Sequence, residues 1–138
     1  MFDLDGTLLP MDQEVFVKDY MTTLAAKMSQ CGFEPQKFMQ TIFECVVAMV
    51  KNDGKRTNEQ VFWDNFVGIY GDKVRESSDI ITDFYKTEFQ QLKNSCGFNP
   101  KAKEIIEFCK DKGLNIVLAT NPLFPSIATE SRMNWAAP

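Results

Sequence analysis

Residues 1–10 read MFDLDGTLLP, and an acidic pair stands at the centre of this stretch. If residues 2–5 form the end of a β-strand, successive side chains point to opposite faces of the sheet. Asp3 and Asp5 then project to the same side, while Leu4 enters the core. The stretch therefore predicts a buried strand that brings two carboxylates into one small space.

Gly6 and Thr7 follow the acidic pair and predict a tight corner. Glycine permits a positive φ or a close backbone approach, and threonine adds a hydroxyl and a backbone N–H. Such a corner suits a cation or a phosphate.

Two plainer interpretations of residues 3–7 stay open. The stretch is also compatible with an ordinary turn, because Asp and Gly favour turns. It partly matches a calcium-binding EF-hand loop with Gly6 at the sixth position, although Met1 would then stand at the first ligand position and no entering helix would precede it.

A second candidate strand lies near the other end of the sequence. Residues 116–119 read IVLA, an all-apolar run that is typical of a strand covered on both faces. A predicted helix beginning at Pro100 precedes it, and Thr120, Asn121 and a proline follow it. Ligands gather beyond the carboxyl ends of parallel strands. If the two strands are neighbours, the Thr120 hydroxyl and the Asn121 N–H therefore face the two carboxylates across a phosphate-sized gap.

The sequence between the two candidate strands predicts a small bundle of four amphipathic helices joined by short polar turns. The predicted helices cover about residues 12–30, Pro35 to Met49, a third stretch that begins with a Thr57/Gln60 capping box and ends before Gly71, and Val74 to Leu92. A further helix is predicted from Pro125 to Trp135. We expect the apolar stripes of these helices to form the core, and the first stripe comprises Val17, Met21, Leu24, Met28 and Cys31.

The polar turn between the second and third predicted helices carries Lys55, Arg56 and Asn58. These side chains face either the substrate or solvent.

Composition narrows the chemistry that is possible. The 138 residues are 44% hydrophobic and 25% charged, which is a globular balance. The net charge is −4, and the basic residues are scattered, so we expect no nucleic-acid partner. The apolar runs are too short to cross a bilayer and no charged-then-apolar leader opens the sequence, so we expect a cytoplasmic protein with no membrane partner.

Histidine is absent, which excludes Ser-His-Asp and Cys-His mechanisms and most transition-metal sites. The four cysteines, Cys31, Cys45, Cys96 and Cys109, show no close pairing. We expect them to be free thiols and not disulfides or zinc ligands. Chemistry in this chain must therefore use carboxylates, hydroxyls, amines and hard metal ions.

The stretch Asp3-Leu4-Asp5-Gly6-Thr7 resembles the first signature of the haloacid dehalogenase superfamily. The resemblance implies that Asp3 is the nucleophile and that Asp5 is the general acid and base. The dehalogenase branch would carry a non-acidic residue in place of Asp5, and the cation-pump branch would carry Lys in place of Leu4. The resemblance therefore points to the phosphatase and phosphotransferase branch.

The second candidate strand resembles the second signature of the same superfamily, a short apolar strand ending in Ser or Thr. The implied fold is α/β: a Rossmann-like core, of which two strands are present, with an all-α helical cap inserted after the first signature. The implied boundaries are residues 1–11 for the first part of the core, 12–96 for the cap and 97–138 for the second part of the core.

The resemblance implies a phosphate monoester hydrolase that acts through an aspartyl-phosphate on a small phosphorylated metabolite. Mg²⁺ suits an all-oxygen site, and Asp3 and Asp5 would hold it. The phosphate oxygens would be bound by Thr120 and Asn121, by Gly6 and Thr7, and by the backbone N–H groups near Leu4 and Asp5.

Two parts of the superfamily pattern are absent from these residues: the Lys of a third signature and the acidic metal ligands of a fourth. The sequence therefore predicts a fragment with weak or no activity, whose core part is less stable than its helical bundle. A phosphotransferase such as a sugar-phosphate mutase and a catalytically inactive binding module stay open as alternatives. The substrate and the oligomeric state do not follow from the sequence.

Overall fold

The computed structural model describes residues 1–136, and these residues form a helical protein. About 68% of them are helical, and only 4% take part in β-pairing. The α-helices are α1 (Gln13–Ser29), α2 (Pro35–Val50), α3 (Asn58–Tyr70), α4 (Ser78–Lys86), α5 (Pro100–Asp111) and α6 (Ser126–Ala136). Two 3-10 helices, Asp72–Ser77 and Glu88–Ser95, flank α4.

The α/β fold class predicted from the sequence is wrong, because residues 1–136 contain no β-sheet. The two predicted strands meet at a single isolated parallel bridge between Phe2 and Leu118. The N–H of Phe2 donates to the Val117 carbonyl at 2.9 Å, and the N–H of Ala119 donates to the Phe2 carbonyl at 2.7 Å. The predicted core strands are thus reduced to one pair of residues.

The chain geometry explains why this pairing stops. The chain leaves the extended conformation at Leu4, whose carbonyl accepts the N–H groups of Thr7 and Leu9. No length is left for a second bridge on that side. The run at 116–119 is also not covered on both faces, since Val117 is 49% exposed.

Local capping explains where the predicted helices begin. Asp12 precedes α1 and accepts the N–H groups of Glu14 and Val15. Thr57 and Gln60 form the expected capping box at the start of α3. The first three predicted helices of the bundle, the helix from Pro100 and the last helix are confirmed to within a few residues.

The predicted single helix from Val74 to Leu92 is wrong. This stretch is divided into the two 3-10 helices and α4, and it is interrupted at Thr87, whose φ of −117° and ψ of −88° lie outside the helical region. The Thr87 hydroxyl donates to the Asp83 carbonyl at 2.8 Å. Threonine bonds of this kind bend helices, which explains the break.

Aromatic side chains from the buried faces of the helices form much of the core. Phe38 and Phe66 are fully buried between α2 and α3, and Phe84 and Phe89 are fully buried between α1, α4 and the second 3-10 helix. The predicted stripe of α1 is partly wrong: Leu24 and Met28 are buried, but Val17 is 50% exposed and Cys31 is exposed. Phe16 and Tyr20 occupy the buried positions instead, completing a stripe with a spacing of four residues.

The chain enters and leaves the helical bundle side by side. Met11 and Cys96 form an antiparallel bridge, and the N–H of Gly97 donates to the Pro10 carbonyl at 2.7 Å. A Cβ on Gly97 would lie 3.1 Å from the Pro10 Cβ, so glycine permits this close approach. The division of the chain at residues 11 and 96 stays a prediction. Its third part, 97–138, ends with Ala137 and Pro138, which lie outside the described residues.

Helix α5 packs weakly on the rest of the described chain. Its only fully buried side chain is Ala102, and Ile105 and Phe108 are 42% and 56% exposed. Asn99 caps the helix by accepting the N–H of Lys101 at 3.0 Å. The helix is therefore held by local interactions more than by burial.

Within residues 1–136, none of the helices has the length and apolar character needed to cross a membrane. The expectation of free thiols is confirmed, since Cys31, Cys45, Cys96 and Cys109 are all unpaired with one another. Burial raises the pKa of the Cys45 and Cys96 thiols to about 11. These two thiols are therefore protonated at neutral pH.

Candidate functional site

Residues 3–9, here called the acidic loop, turn tightly around the carbonyl of Leu4. Besides the two bonds to this carbonyl, the N–H of Gly6 donates to the Leu9 carbonyl at 2.8 Å. The φ of Gly6 is +77°, the left-handed value that the sequence anticipated. Leu4 and Leu9 are 1% and 0% exposed, so the loop is anchored to the core at both ends.

Asp3 lies on the open side of the acidic loop. Its side chain is exposed, and its Oδ2 accepts the Thr7 hydroxyl at 3.1 Å. This hydrogen bond orients one carboxylate oxygen. The structure therefore brings Asp3 and Thr7 together, as the sequence predicted.

Asp5 faces a different environment. Its carboxylate is half-buried, and Oδ1 lies 3.1 Å from Nε of Arg132, a residue with no exposed surface. Burial raises the pKa of Asp5, with Arg132 acting in the opposite direction and the negative charge of Asp3 adding to the rise. The two carboxylates are thus close enough to interact electrostatically, while their surroundings differ.

The second predicted site segment follows the parallel bridge. Thr120 is half-buried and Asn121 is exposed, and neither side chain makes a hydrogen bond to another part of residues 1–136. The segment is fastened to the bundle by Asn58, whose Nδ2 donates to the Pro122 carbonyl at 3.0 Å. The start of α3 at Asn58 and the turn before it, which carries Lys55 and Arg56, therefore lie beside this segment.

The backbone N–H groups of the site fall into two sets. Those of Gly6 and Thr7 are already used, by Leu9 and Leu4 respectively. The N–H groups of Leu4, Asp5 and Asn121 donate to no acceptor within residues 1–136. The backbone donors for an incoming oxyanion would therefore be the N–H groups of Leu4, Asp5 and Asn121. Gly6 contributes its backbone conformation and not a donor.

The donor set for a metal ion is small. No group of three or more Asp, Glu, Cys or His side chains suited to a metal occurs in the described part of the chain. The acidic loop offers three sets of oxygens: the Asp3 carboxylate, Asp5 Oδ2 and the Asp5 carbonyl. The Asp5 carbonyl also accepts Gln13 Nε2 at 3.4 Å. Mg²⁺ commonly takes one or two protein carboxylates and completes its shell with water and substrate phosphate. These oxygens fit that pattern.

No family model, curated protein or solved structure matches the chain. The candidate site therefore rests on the residues and their geometry.

Sequence reasoning missed Arg132. The side chains of Ala128, Arg132, Trp135 and Ala136 are all buried on α6, at the i, i+4, i+7 and i+8 positions of one helical face. An arginine at the centre of an otherwise apolar face is the signal that could have drawn attention to it. Its acidic partner, 127 positions earlier in the chain, could not be identified in this way.

Two open clefts lie elsewhere on the surface. One, of about 360 Å³, is lined by Arg56, Glu59, Gln60, Trp63, Asp64 and Arg75. Arg56 forms an ion pair with Asp64 in this cleft. Neither this cleft nor a second one on α1 is lined by the acidic loop.

Proposed function

We propose that the chain binds small phosphate monoesters at the acidic loop and hydrolyses them in an Mg²⁺-dependent reaction, and that it does so in the cytoplasm. One observation carries the proposal: the parallel bridge between Phe2 and Leu118. Because the bridge is parallel, the residues that follow Phe2 and those that follow Leu118 emerge toward the same end. This arrangement supports a shared site for Asp3 and Thr120.

The proposed roles follow from the surroundings of each side chain. Asp3 is exposed and is oriented by the Thr7 hydroxyl, so it suits in-line attack on phosphorus through one carboxylate oxygen. The bond formed is Asp3 Oδ to phosphorus, and the bond broken is phosphorus to the ester oxygen. The free N–H groups of Leu4, Asp5 and Asn121 would bind the phosphoryl oxygens, together with the Thr120 hydroxyl.

Asp5 suits proton transfer because burial favours its protonated form. In the first step it would give its proton to the leaving ester oxygen. In the second it would take a proton from the water that attacks the Asp3 acyl phosphate, which releases inorganic phosphate and restores both carboxyl groups. A bound Mg²⁺ would neutralise charge on the phosphoryl group.

The proposal is tested with the purified chain and a panel of phosphate monoesters, with and without Mg²⁺. We expect weak phosphate release in the presence of Mg²⁺ and no release above background from Asp3→Asn. Asp111→Asn is the matched control, since Asp111 is an exposed aspartate on α5 far along the chain from the acidic loop. Its activity should equal that of the original chain.

Covalent labelling gives a second test, which does not require complete turnover. After brief incubation with a reactive acyl or aryl phosphate and acid quenching, we expect one added phosphoryl group on the peptide that contains Asp3. Labelling of a different peptide would contradict the nucleophile assignment. Mg²⁺ binding without labelling or phosphate release would leave a binding module as the function.

A further inference from the structure

The guanidinium of Arg132 is buried between the two segments of the candidate site. The residue has 0% exposed surface, and its Nε lies 3.1 Å from Asp5 Oδ1 of the acidic loop. On another side, the guanidinium carbon lies 4.4 Å from the centre of the Phe124 ring. One cation thus contacts both a carboxylate and an aromatic face.

This burial is difficult to explain as a source of stability. Nε, Nη1 and Nη2 of Arg132 all lack a well-formed hydrogen bond within residues 1–136. Buried cations with unused donors are costly, and replacing a buried ion pair with apolar side chains is often neutral or stabilising. A role other than stabilisation is therefore needed.

Phe124 supplies a rigid support for the cation. Its ring packs edge-on against Phe16 at 6.5 Å and Tyr20 at 5.2 Å, so it is fixed to α1. Phe124 also follows closely after the Thr120 and Asn121 segment in the chain. The cation consequently joins a fixed ring of one site segment to a carboxylate of the other.

We propose that Arg132 is a positioning residue, which holds the acidic loop in register with the segment from Thr120 to Phe124. The effect of Arg132 on catalysis rests on the proposed function, whereas its effect on the order of the acidic loop is independent of that function. Without the cation, the acidic loop keeps its apolar anchors but loses the link that sets the direction of Asp5. A displacement of about 1 Å in a catalytic group can cost on the order of a hundredfold in rate.

The test compares Arg132→Met, which keeps an unbranched apolar stem and removes the charge, with Arg132→Lys, which keeps the charge and removes the planar face. Arg75→Met is the matched control, because Arg75 also lies over an aromatic ring, that of Trp63 at 6.0 Å, in a different part of the bundle. The first measurement is amide hydrogen exchange at Gly6 and Leu9, whose N–H groups close the acidic loop.

We expect Arg132→Met to speed exchange at Gly6 and Leu9 by roughly tenfold or more. Because this change leaves the Asp5 carboxylate without its cation, the urea midpoint of the whole chain should also fall, and combining it with Asp5→Asn should recover the midpoint. Arg132→Lys should restore part of the protection, and Arg75→Met should change neither amide. Unchanged exchange at both amides in a folded Arg132→Met variant would overturn the inference. If that variant does not fold, Arg132→Met combined with Asp5→Asn removes both charges and is judged by the same two amides.

Kinetics and metal binding give the second measurement. In the presence of Mg²⁺ we expect Arg132→Met to lower kcat by about tenfold to a hundredfold with a small change in KM, with partial rescue by Arg132→Lys. A change confined to KM would contradict a positioning role. If the original chain neither binds Mg²⁺ nor hydrolyses phosphate esters, the proposed function fails, whereas the exchange data still decide the role of Arg132.

Discussion

The hydroxyl pair of Tyr20 and Tyr85 offers a quantitative test of how the core is built. The two side chains are 8% and 5% exposed, and their oxygens lie 2.8 Å apart among aromatic rings. Burial raises the pKa of Tyr20 to about 12 and that of Tyr85 well above its ordinary value, so both hydroxyls are neutral in ordinary buffers. The hydrogen bond therefore joins two uncharged groups in a mainly aromatic setting, and the positive charge of Arg132 opposes part of the rise in both pKa values.

The expected energies follow from which hydroxyl is left behind. Tyr20→Phe removes one oxygen and leaves the Tyr85 hydroxyl buried without this partner, which costs about 1–3 kcal/mol of unfolding free energy. Tyr85→Phe has the same consequence for Tyr20. The double variant leaves neither hydroxyl unsatisfied, and we expect it to lie within about 1 kcal/mol of the original chain.

Urea unfolding of the four proteins forms a double-mutant cycle. With m on the order of 1–3 kcal/mol per molar urea, each single variant should lower the midpoint by about 1 M, and the double variant should largely recover it. Tyr70→Phe is the control, because the Tyr70 hydroxyl has no well-formed hydrogen bond among residues 1–136 and the neighbouring Thr41 hydroxyl stays paired with the Lys37 carbonyl, so its removal should not destabilise the chain. A double variant that loses the sum of the two single losses, roughly 2–6 kcal/mol, would refute the reasoning.

Three further predictions concern pH, capping and local stability. The Thr87 hydroxyl and Lys27 lower the pKa of Glu88 from 4.5 to about 2, so its contribution to stability is complete above pH 4.5 and is lost as pH falls through about 2. Glu88→Gln should flatten this acid-side loss in unfolding curves measured from pH 5 to pH 2. Thr57→Ala should lower the unfolding free energy by about 0.5–2 kcal/mol in urea, because it removes the capping box of α3, and no loss would contradict the cap. The Ala119 amide of the isolated bridge should exchange hydrogen much faster than the Cys45 amide in the buried face of α2, and slower exchange at Ala119 would contradict a weak bridge.

The helices were predictable where a local signal decides them. The Thr57/Gln60 box and the first-turn prolines of α2 and α5 each fix a helix start within a few residues, and no distant contact is needed. The buried face of α1 was less certain. Val17 and Met21 have a helical spacing as good as that of Phe16 and Tyr20, and only contact with Phe89 and Phe124 selects the aromatic pair.

The strands show the opposite limit. The run from Ile116 to Ala119 is apolar enough for a buried strand, but a strand exists only where a neighbouring chain offers several hydrogen-bonding partners in register. Here one pair, Phe2 and Leu118, meets that condition. The composition of the run does not show how many hydrogen-bonding partners a neighbouring segment offers.

The sequence predicted the corner of the acidic loop but not the surroundings of Asp5. Asp3, Gly6 and Thr7 are adjacent in the chain, so their corner could be inferred from local geometry. The environment of Asp5 depends on Arg132. The two residues are far apart in the chain, so the sequence alone does not predict that their side chains meet. The differing surroundings of the two carboxylates are therefore a result of the fold.

Helix α5 turns an apolar side toward water while its packing on the other helices is slight. A helix of 12 residues is marginal when it relies on its own caps and charge pairs. We therefore expect α5 to unwind transiently, and a protease of broad specificity should make its first cut there, leaving the tightly packed aromatic bundle of α1 to α4 as the surviving piece.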